Sequence, residues 1–340
     1  MAAVGITAAL LAGCGEGEEP ETAAEPASDP VTKVAPEPRR DTHIWVSLNG
    51  HAGPENVALL MAEARGYFAD RGLSVGVGTP SEPRRTIKYV ASRTADLGVS
   101  QLPQLAMAAE KGVRVVAVGS LLPRPTAAMI WLRRSKIRDI ADLKGKTIGV
   151  SGIPFQEGFL QIFLARAGLT LGDVRVKVVE YDLVPALVNG RVDAIFGGSA
   201  NIEGTQLEAR GLEPVITPAR RLGSPAYDEI VVIARTRRVV RNPEWIRDFM
   251  SAVAQGAAAA VENPQEAVRV IEESSERDAT LNRSELEAEV KATLPLLSKT
   301  GYMSPGRARR LIDWMRNERL IHRTVPISQL LTNRYLPPQP

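Results

Sequence analysis

The chain has 340 residues, 44% of them apolar and 24% charged, with a formal charge of +3. That is an ordinary globular composition, long enough for two separate cores. So small a charge, with no basic run interleaved with aromatics, argues against a nucleic-acid partner. The single cysteine, Cys14, excludes a disulfide framework and a cysteine-built metal site.

The chain begins with a short apolar segment, Ala2 to Ala12. It falls short of the ~20 residues that span a bilayer and fits the hydrophobic part of a signal peptide over residues 1–13. Leu11-Ala12-Gly13-Cys14 resembles a bacterial lipobox, which implies a lipid on Cys14 and an anchor on the outer face of the cytoplasmic membrane. Met1-Ala2-Ala3-Val4 carries no Lys or Arg, so a start further upstream is expected to supply the missing basic residues. From Cys14 to Arg40 seven acids stand against three bases, and five prolines interrupt the run. Such a segment is expected to be a disordered, solvated tether over 14–40.

The body opens with a strand over 43–48 and a turn-rich loop, Asn49-Gly50-His51-Ala52-Gly53-Pro54. Val57, Leu60, Met61 and Ala64 have helical spacing, with Pro54 at the start and Gly66 as the stop. Strands are expected over 73–77, 96–100 and 113–118, with helices over 83–91 and 103–111 between them. Alternation of this kind predicts a parallel sheet with crossover helices. The pattern then restarts. Strands are expected over 128–132, 147–150, 174–179, 192–196 and 215–216, with helices over 155–167, 183–188 and from Asn201 to Arg210. A last strand over 229–234 precedes helices over 243–262, 264–273, 283–294 and 304–319.

Most catalytic patterns fail on inspection. Leu143-Lys144-Gly145-Lys146-Thr147 resembles the end of a phosphate loop, but Ile140 stands where its first glycine belongs. Gly197-Gly198-Ser199-Ala200-Asn201 resembles a nucleophile elbow without its closing glycine. Gly76-Val77-Gly78 lacks the third glycine of a dinucleotide fingerprint, so no cofactor is implied. His43, His51 and His322 have no metal spacing, and no metal is expected.

What remains is recognition. Gly197 to Gly204 follows a strand, offers small residues and starts a helix, a usual place for a ligand in an α/β sheet. Asn201 is expected to cap that helix, which puts the carboxylate of Glu203 in its first turn, where a donor-rich molecule could dock or where it merely favours the helix dipole. Other polar or aromatic residues fall in strand-to-helix loops: Asn49, His51, Gln101, Gln104, Phe155, Gln156 and Ser199. Tyr227 precedes the strand that leads into the helical tail. Phe155 and Tyr227 serve a core as readily as a ligand.

The order of these features resembles the solute-binding proteins of ABC importers, in the nitrate, sulfonate and thiamine-precursor branch. The resemblance rests on Ala64-Arg65-Gly66-Tyr67-Phe68, Ala95-Asp96-Leu97-Gly98-Val99, the run from Ala141 to Val150, Ala167-Gly168-Leu169, and the run from Ala186 to Ala194. Asn201-Ile202-Glu203, Tyr227 to Val232 and the ending Thr332-Asn333-Arg334-Tyr335-Leu336-Pro337 resemble the binding proteins for pyrimidine precursors of thiamine. The resemblance implies an α/β fold of the two-lobe periplasmic-binding-protein kind (type II). Each lobe would be a mostly parallel sheet flanked by helices, with the ligand cleft between lobes. Lobe 1 would comprise 41–123 and 229–340, and lobe 2 residues 124–228, joined near 121–124 and 227–229. It further implies a heterocyclic ligand, permease and ATPase partners, a monomer and no enzyme activity. Glu203 would accept from a ring amine with Asn201 beside it, and Tyr227 would lie near the cleft. Trp45-Val46 stands where the family carries an Asp-Trp pair, so riboflavin stays open, as do an aliphatic sulfonate or nitrate. An enzyme of the same fold and an anchored sensor also stay open.

Overall fold

The computed structural model describes residues 42–336 apart from 242 and 275. The expected signal peptide, the lipid on Cys14 and the tether lie outside the described residues. Ten strands run Thr42–Ser47 (β1), Leu73–Gly78 (β2), Leu97–Gln101 (β3), Val115–Leu122 (β4), Ala127–Leu132 (β5), Thr147–Val150 (β6), Arg175–Val178 (β7), Ala194–Ser199 (β8), Pro214–Pro218 (β9) and Ile230–Arg235 (β10) among the described residues. They form two five-stranded sheets, ordered β2-β1-β3-β10-β4 and β7-β6-β8-β5-β9.

The sheets follow one plan. In the first, β1 runs parallel to β2 and β3, while β10 lies antiparallel between β3 and β4. In the second, β6 runs parallel to β7 and β8, while β5 lies antiparallel between β8 and β9. Each sheet is therefore mixed, and its antiparallel member is the first strand after the chain has crossed from the other sheet. Burial explains the apolar runs. Every residue of β4 and β5 is buried, so both strands are covered on both faces, although β4 is the last strand of its sheet. Strand β7 is exposed at all four positions, and its Arg175 and Lys177 suit an edge.

The helices are Val57–Ala64 (α1), Thr86–Ser92 (α2), Leu102–Glu110 (α3), Pro154–Arg166 (α4), Leu183–Val188 (α5), Thr205–Ala209 (α6), Thr236–Arg241 (α7), Pro243–Glu262 (α8), Pro264–Glu273 (α9), Arg283–Thr293 (α10), Pro305–Asn317 (α11) and Ile327–Leu330 (α12). The short helices α7 and α12 were not expected from the pattern. One core packs α1, α8, α9 and α10 against the first sheet. Another joins the facing sides of both lobes with α3, α4 and α11, and a third packs α5 and α6 on the second sheet. Gly256 lets α8 approach α1 closely: a Cβ there would sit 2.1 Å from the Ala58 carbonyl oxygen.

The chain passes between sheets over 123–126 and 219–229. Glu229 stitches the two passages together. Its backbone N–H donates to Leu122 O at 2.8 Å, and its Oε2 accepts from the Thr126 N–H at 3.2 Å.

Candidate functional site

Parallel strands of one sheet end on the same side, so the loops that follow them gather. Here the ends of β1, β3, β6, β7 and β8 all open onto a cleft of about 310 Å³ between the lobes. Seven of the expected residues line it: Asn49, His51, Gln101, Phe155, Gln156, Ser199 and Glu203. Asn201 and Tyr227 are not among its lining residues. The side chain of Asn201 is 6% exposed and donates to Thr293 Oγ1 at 2.8 Å, tying its turn to α10. Tyr227 is fully buried, edge-on to Phe159 at 6.5 Å. Gln104 likewise turns inward and accepts from Ser100 Oγ at 3.0 Å.

The stretch after β8 builds one wall. Ser199 is extended, and the chain then enters a π-helical turn, Ala200–Gly204, that runs into α6. Ser199, not Asn201, therefore stands at the cap. Glu203 reaches back over this turn, and its Oε2 accepts from the Ser199 N–H at 2.6 Å. Two glycines make room. Gly197 has φ +91°, and a Cβ on it would fall 2.1 Å from Gln156 Nε2. A Cβ on Gly198 would fall 3.1 Å from the Glu203 carboxyl carbon. Gln156 itself is fixed by the Ser151 N–H, which donates to its Oε1 at 3.0 Å.

Several lining residues escaped the sequence reading. Glu55, in the Pro54–Asn56 turn after β1, accepts from Asn49 Nδ2 and from Ser199 Oγ, both at 3.2 Å. Glu229 and Glu289 also line the cleft and are 3% and 1% exposed. Tyr181 donates to Pro80 O at 2.8 Å, and its ring stands 4.8 Å from that of His51, so this pair spans the two lobes. No motif signals these residues, because each gains its place from a contact distant in sequence.

The electrostatics are one-sided. Burial first, then the negative charge of Glu55, pushes the Glu229 carboxyl up to about 7. Burial also pushes Glu203 up to about 7, against the opposing effect of the Ser199 N–H. Glu55 is raised by burial as well, and Glu289 by burial to about 8. The single guanidinium in the lining, Arg210, is committed to Glu285 through a two-pronged contact of 2.8 and 3.2 Å. The cleft is thus rich in acceptors and poor in free cations.

Residues 53–267 match the family described as NMT1/THI5 like. The chain belongs to this family. It is 30% identical over 287 residues to a thiamine biosynthesis protein of Haemophilus influenzae, covering 84% of this chain and 90% of that one. It is 32% identical over 228 residues to the formylaminopyrimidine-binding protein of Halalkalibacterium halodurans, covering 67% and 69%. Family relatives also include a 4-amino-5-hydroxymethyl-2-methylpyrimidine phosphate synthase of Legionella pneumophila, 24% identical over 302 residues with 88% and 94% covered. The alkanesulfonate-binding protein of Xanthomonas axonopodis pv. citri, solved with MOPS, superposes with a TM-score of 0.67 at 16% identity over 86% of this chain and 99% of that one. The family member described here thus has the two-lobe periplasmic-binding-protein fold. Among its described residues no helix is long and apolar enough to cross a membrane.

Proposed function

We propose that this chain is a solute-binding protein of an ABC importer that captures an aminopyrimidine, a thiamine precursor of the hydroxymethylpyrimidine type, by closing two lobes on it. The observation that carries the reading is the convergence of Glu55, Glu203 and Glu229 on one cleft whose only guanidinium is already held by Glu285. Carboxylates bind amino donors through charge-assisted hydrogen bonds and disfavour anions. Glu203 accepts from the exocyclic amine, and Phe155 with Tyr181 offers flat apolar surface to the ring. The relative named as a formylaminopyrimidine-binding protein favours the same ligand class. A sulfonate or nitrate would meet carboxylates in place of free donors.

Lobe closure works by differential affinity: the ligand touches both lobes only when they are shut. The passages 123–126 and 219–229, joined through Glu229, act as the hinge. An exported body, anchored by a lipid on Cys14 and acting as a monomer, delivers the closed form to a permease and its ATPase. Thermal shift and calorimetry across hydroxymethylpyrimidine, formylaminopyrimidine, thiamine, riboflavin, taurine and nitrate test the reading. A bound pyrimidine at a hundred times its dissociation constant adds ~2.7 kcal/mol of stability. Stabilisation by taurine or nitrate alone contradicts it.

The relatives named as synthases sustain a second reading, an enzyme on this fold. Mass spectrometry of ligand recovered after incubation separates the two, since a binding protein returns its ligand unaltered.

A further inference from the structure

The cleft extends beyond Glu203 toward α10. There it is lined by Gln206 and Arg210 of α6, by Asp278 and Thr280 of the segment before α10, and by Glu289 of α10 itself. Glu289 is 1% exposed, and its Oε1 has no hydrogen-bond partner. Asn56, in the turn packed against α10, is 2% exposed, and its Oδ1 has none either. Two deeply buried oxygens that line one cleft and lack partners are costly as they stand. An amide oxygen can only accept, so the missing partner at Asn56 is a donor.

Three carboxyls face Glu289. Glu203 faces it from the π-helical turn, Asp278 from the preceding segment and Glu285 from one turn earlier on its own helix. Arg210 is the cation nearby, and its guanidinium is occupied by Glu285. Gln206 supplies one hydrogen bond to the Glu289 carboxyl and no charge.

We infer that the ligand carries an ammonium arm beside its aminopyrimidine ring, and that Glu289 receives this arm in a second subsite at the α10 end of the cleft. The inference rests on the aminopyrimidine reading and replaces the hydroxymethyl arm named there with a cationic one. An ammonium offers three donors and a full positive charge to the buried Glu289 carboxyl. A hydroxymethyl arm offers one weaker donor. A formylated arm offers one amide N–H and no charge. Burial and the surrounding acids hold Glu289 protonated near neutral pH, raised to about 8. Docking an ammonium makes it ionise, so a proton leaves to the buffer as the ligand enters.

The test compares three pyrimidines that differ only in the arm at position 5: aminomethyl, hydroxymethyl and formylaminomethyl. Calorimetry at pH 7 in phosphate and in Tris reads both affinity and protons released. The expected result is that the aminomethyl compound binds at least roughly tenfold more tightly than the other two. It should also release about one proton that they do not release, because Glu289 titrates only against the charged arm. Glu289→Gln brings the affinity ratio close to one; if that variant fails to fold, the proton count on the unaltered protein still decides. Equal or tighter binding of the hydroxymethyl compound overturns the ammonium subsite and leaves the aminopyrimidine reading standing. A preference that survives Glu289→Gln overturns the role of Glu289. Failure of all three pyrimidines to bind overturns both readings.

Discussion

The hydroxyl of Ser199 donates to Glu55 Oε1 at 3.2 Å, joining residues 144 positions apart. Glu55 belongs to the turn after β1 in one lobe and Ser199 to the end of β8 in the other. Thr126, in one of the passages between sheets, donates to the same Ser199 hydroxyl at 3.1 Å. The contact therefore binds lobe to lobe and both to a passage between the sheets. Ser199→Ala should weaken ligand binding by about 1 kcal/mol, the net worth of one such bond. Calorimetry should show a roughly fivefold rise in dissociation constant if, under the proposed closure, the bond forms only with the lobes shut. An unaltered constant would mean that closure does not depend on it.

Stability should fall as pH rises through neutrality. Glu203 and Glu229 go from 4.5 to about 7 on folding, each driven chiefly by burial. Between those values the unfolded chain has released protons that the folded chain keeps. Their contribution is fully present below pH 4.5 and is lost as pH rises through 7, by an amount on the order of 3 kcal/mol for each group. Asp142 runs the other way, held down to about 2 by the Arg138 guanidinium, so it acts only below that window. The thermal midpoint of the ligand-free protein should drop between pH 5 and pH 8, and Glu203→Gln should flatten the drop. A midpoint that rises over this range contradicts the assignment.

Gly197→Ala tests the wall after β8. The new Cβ meets Gln156 and imposes a side chain on a residue at φ +91°. Relief requires Gln156 to swing away from the Ser151 N–H. Strain and the lost bond together should cost ~1–3 kcal/mol. Denaturant melts of the variant measure the cost, and a variant as stable as its parent would show that the wall yields freely.

Asn201→Ala separates a structural residue from a ligand contact. Its bond to Thr293 links the turn to α10. Loss of that bond should lower stability by ~1 kcal/mol, while ligand affinity measured on the folded protein changes far less than for Glu203→Gln. A large affinity loss with unchanged stability would reverse the roles.

The chain's periodicity and punctuation made most elements readable. Residues 183–188, 243–262 and 264–273 fold as helices over the expected spans, each with its apolar face on a core. Pairing order was less accessible. Strand β10 looks like any apolar run, and its insertion between β3 and β4 depends on partners more than a hundred residues away. The same limit governs the site. Glu203 was legible because a strand end, glycines and a helix start surround it. Glu55 looks like an acid that favours a helix start, and Glu289 like one more charge on the polar helix Arg283–Thr293; only the packing of α10 onto the cleft distinguishes it. Tyr227 could serve a core or a ligand as far as its sequence position shows, and its ring fills the aromatic core around Phe159.

The most direct measurement is the affinity of the unaltered protein and of Glu203→Gln for hydroxymethylpyrimidine, by calorimetry at pH 7.5. Loss of a charge-assisted bond predicts that the variant binds more weakly by ~1.5–3 kcal/mol, roughly ten- to a hundredfold. Equal affinity of the two proteins would contradict the account.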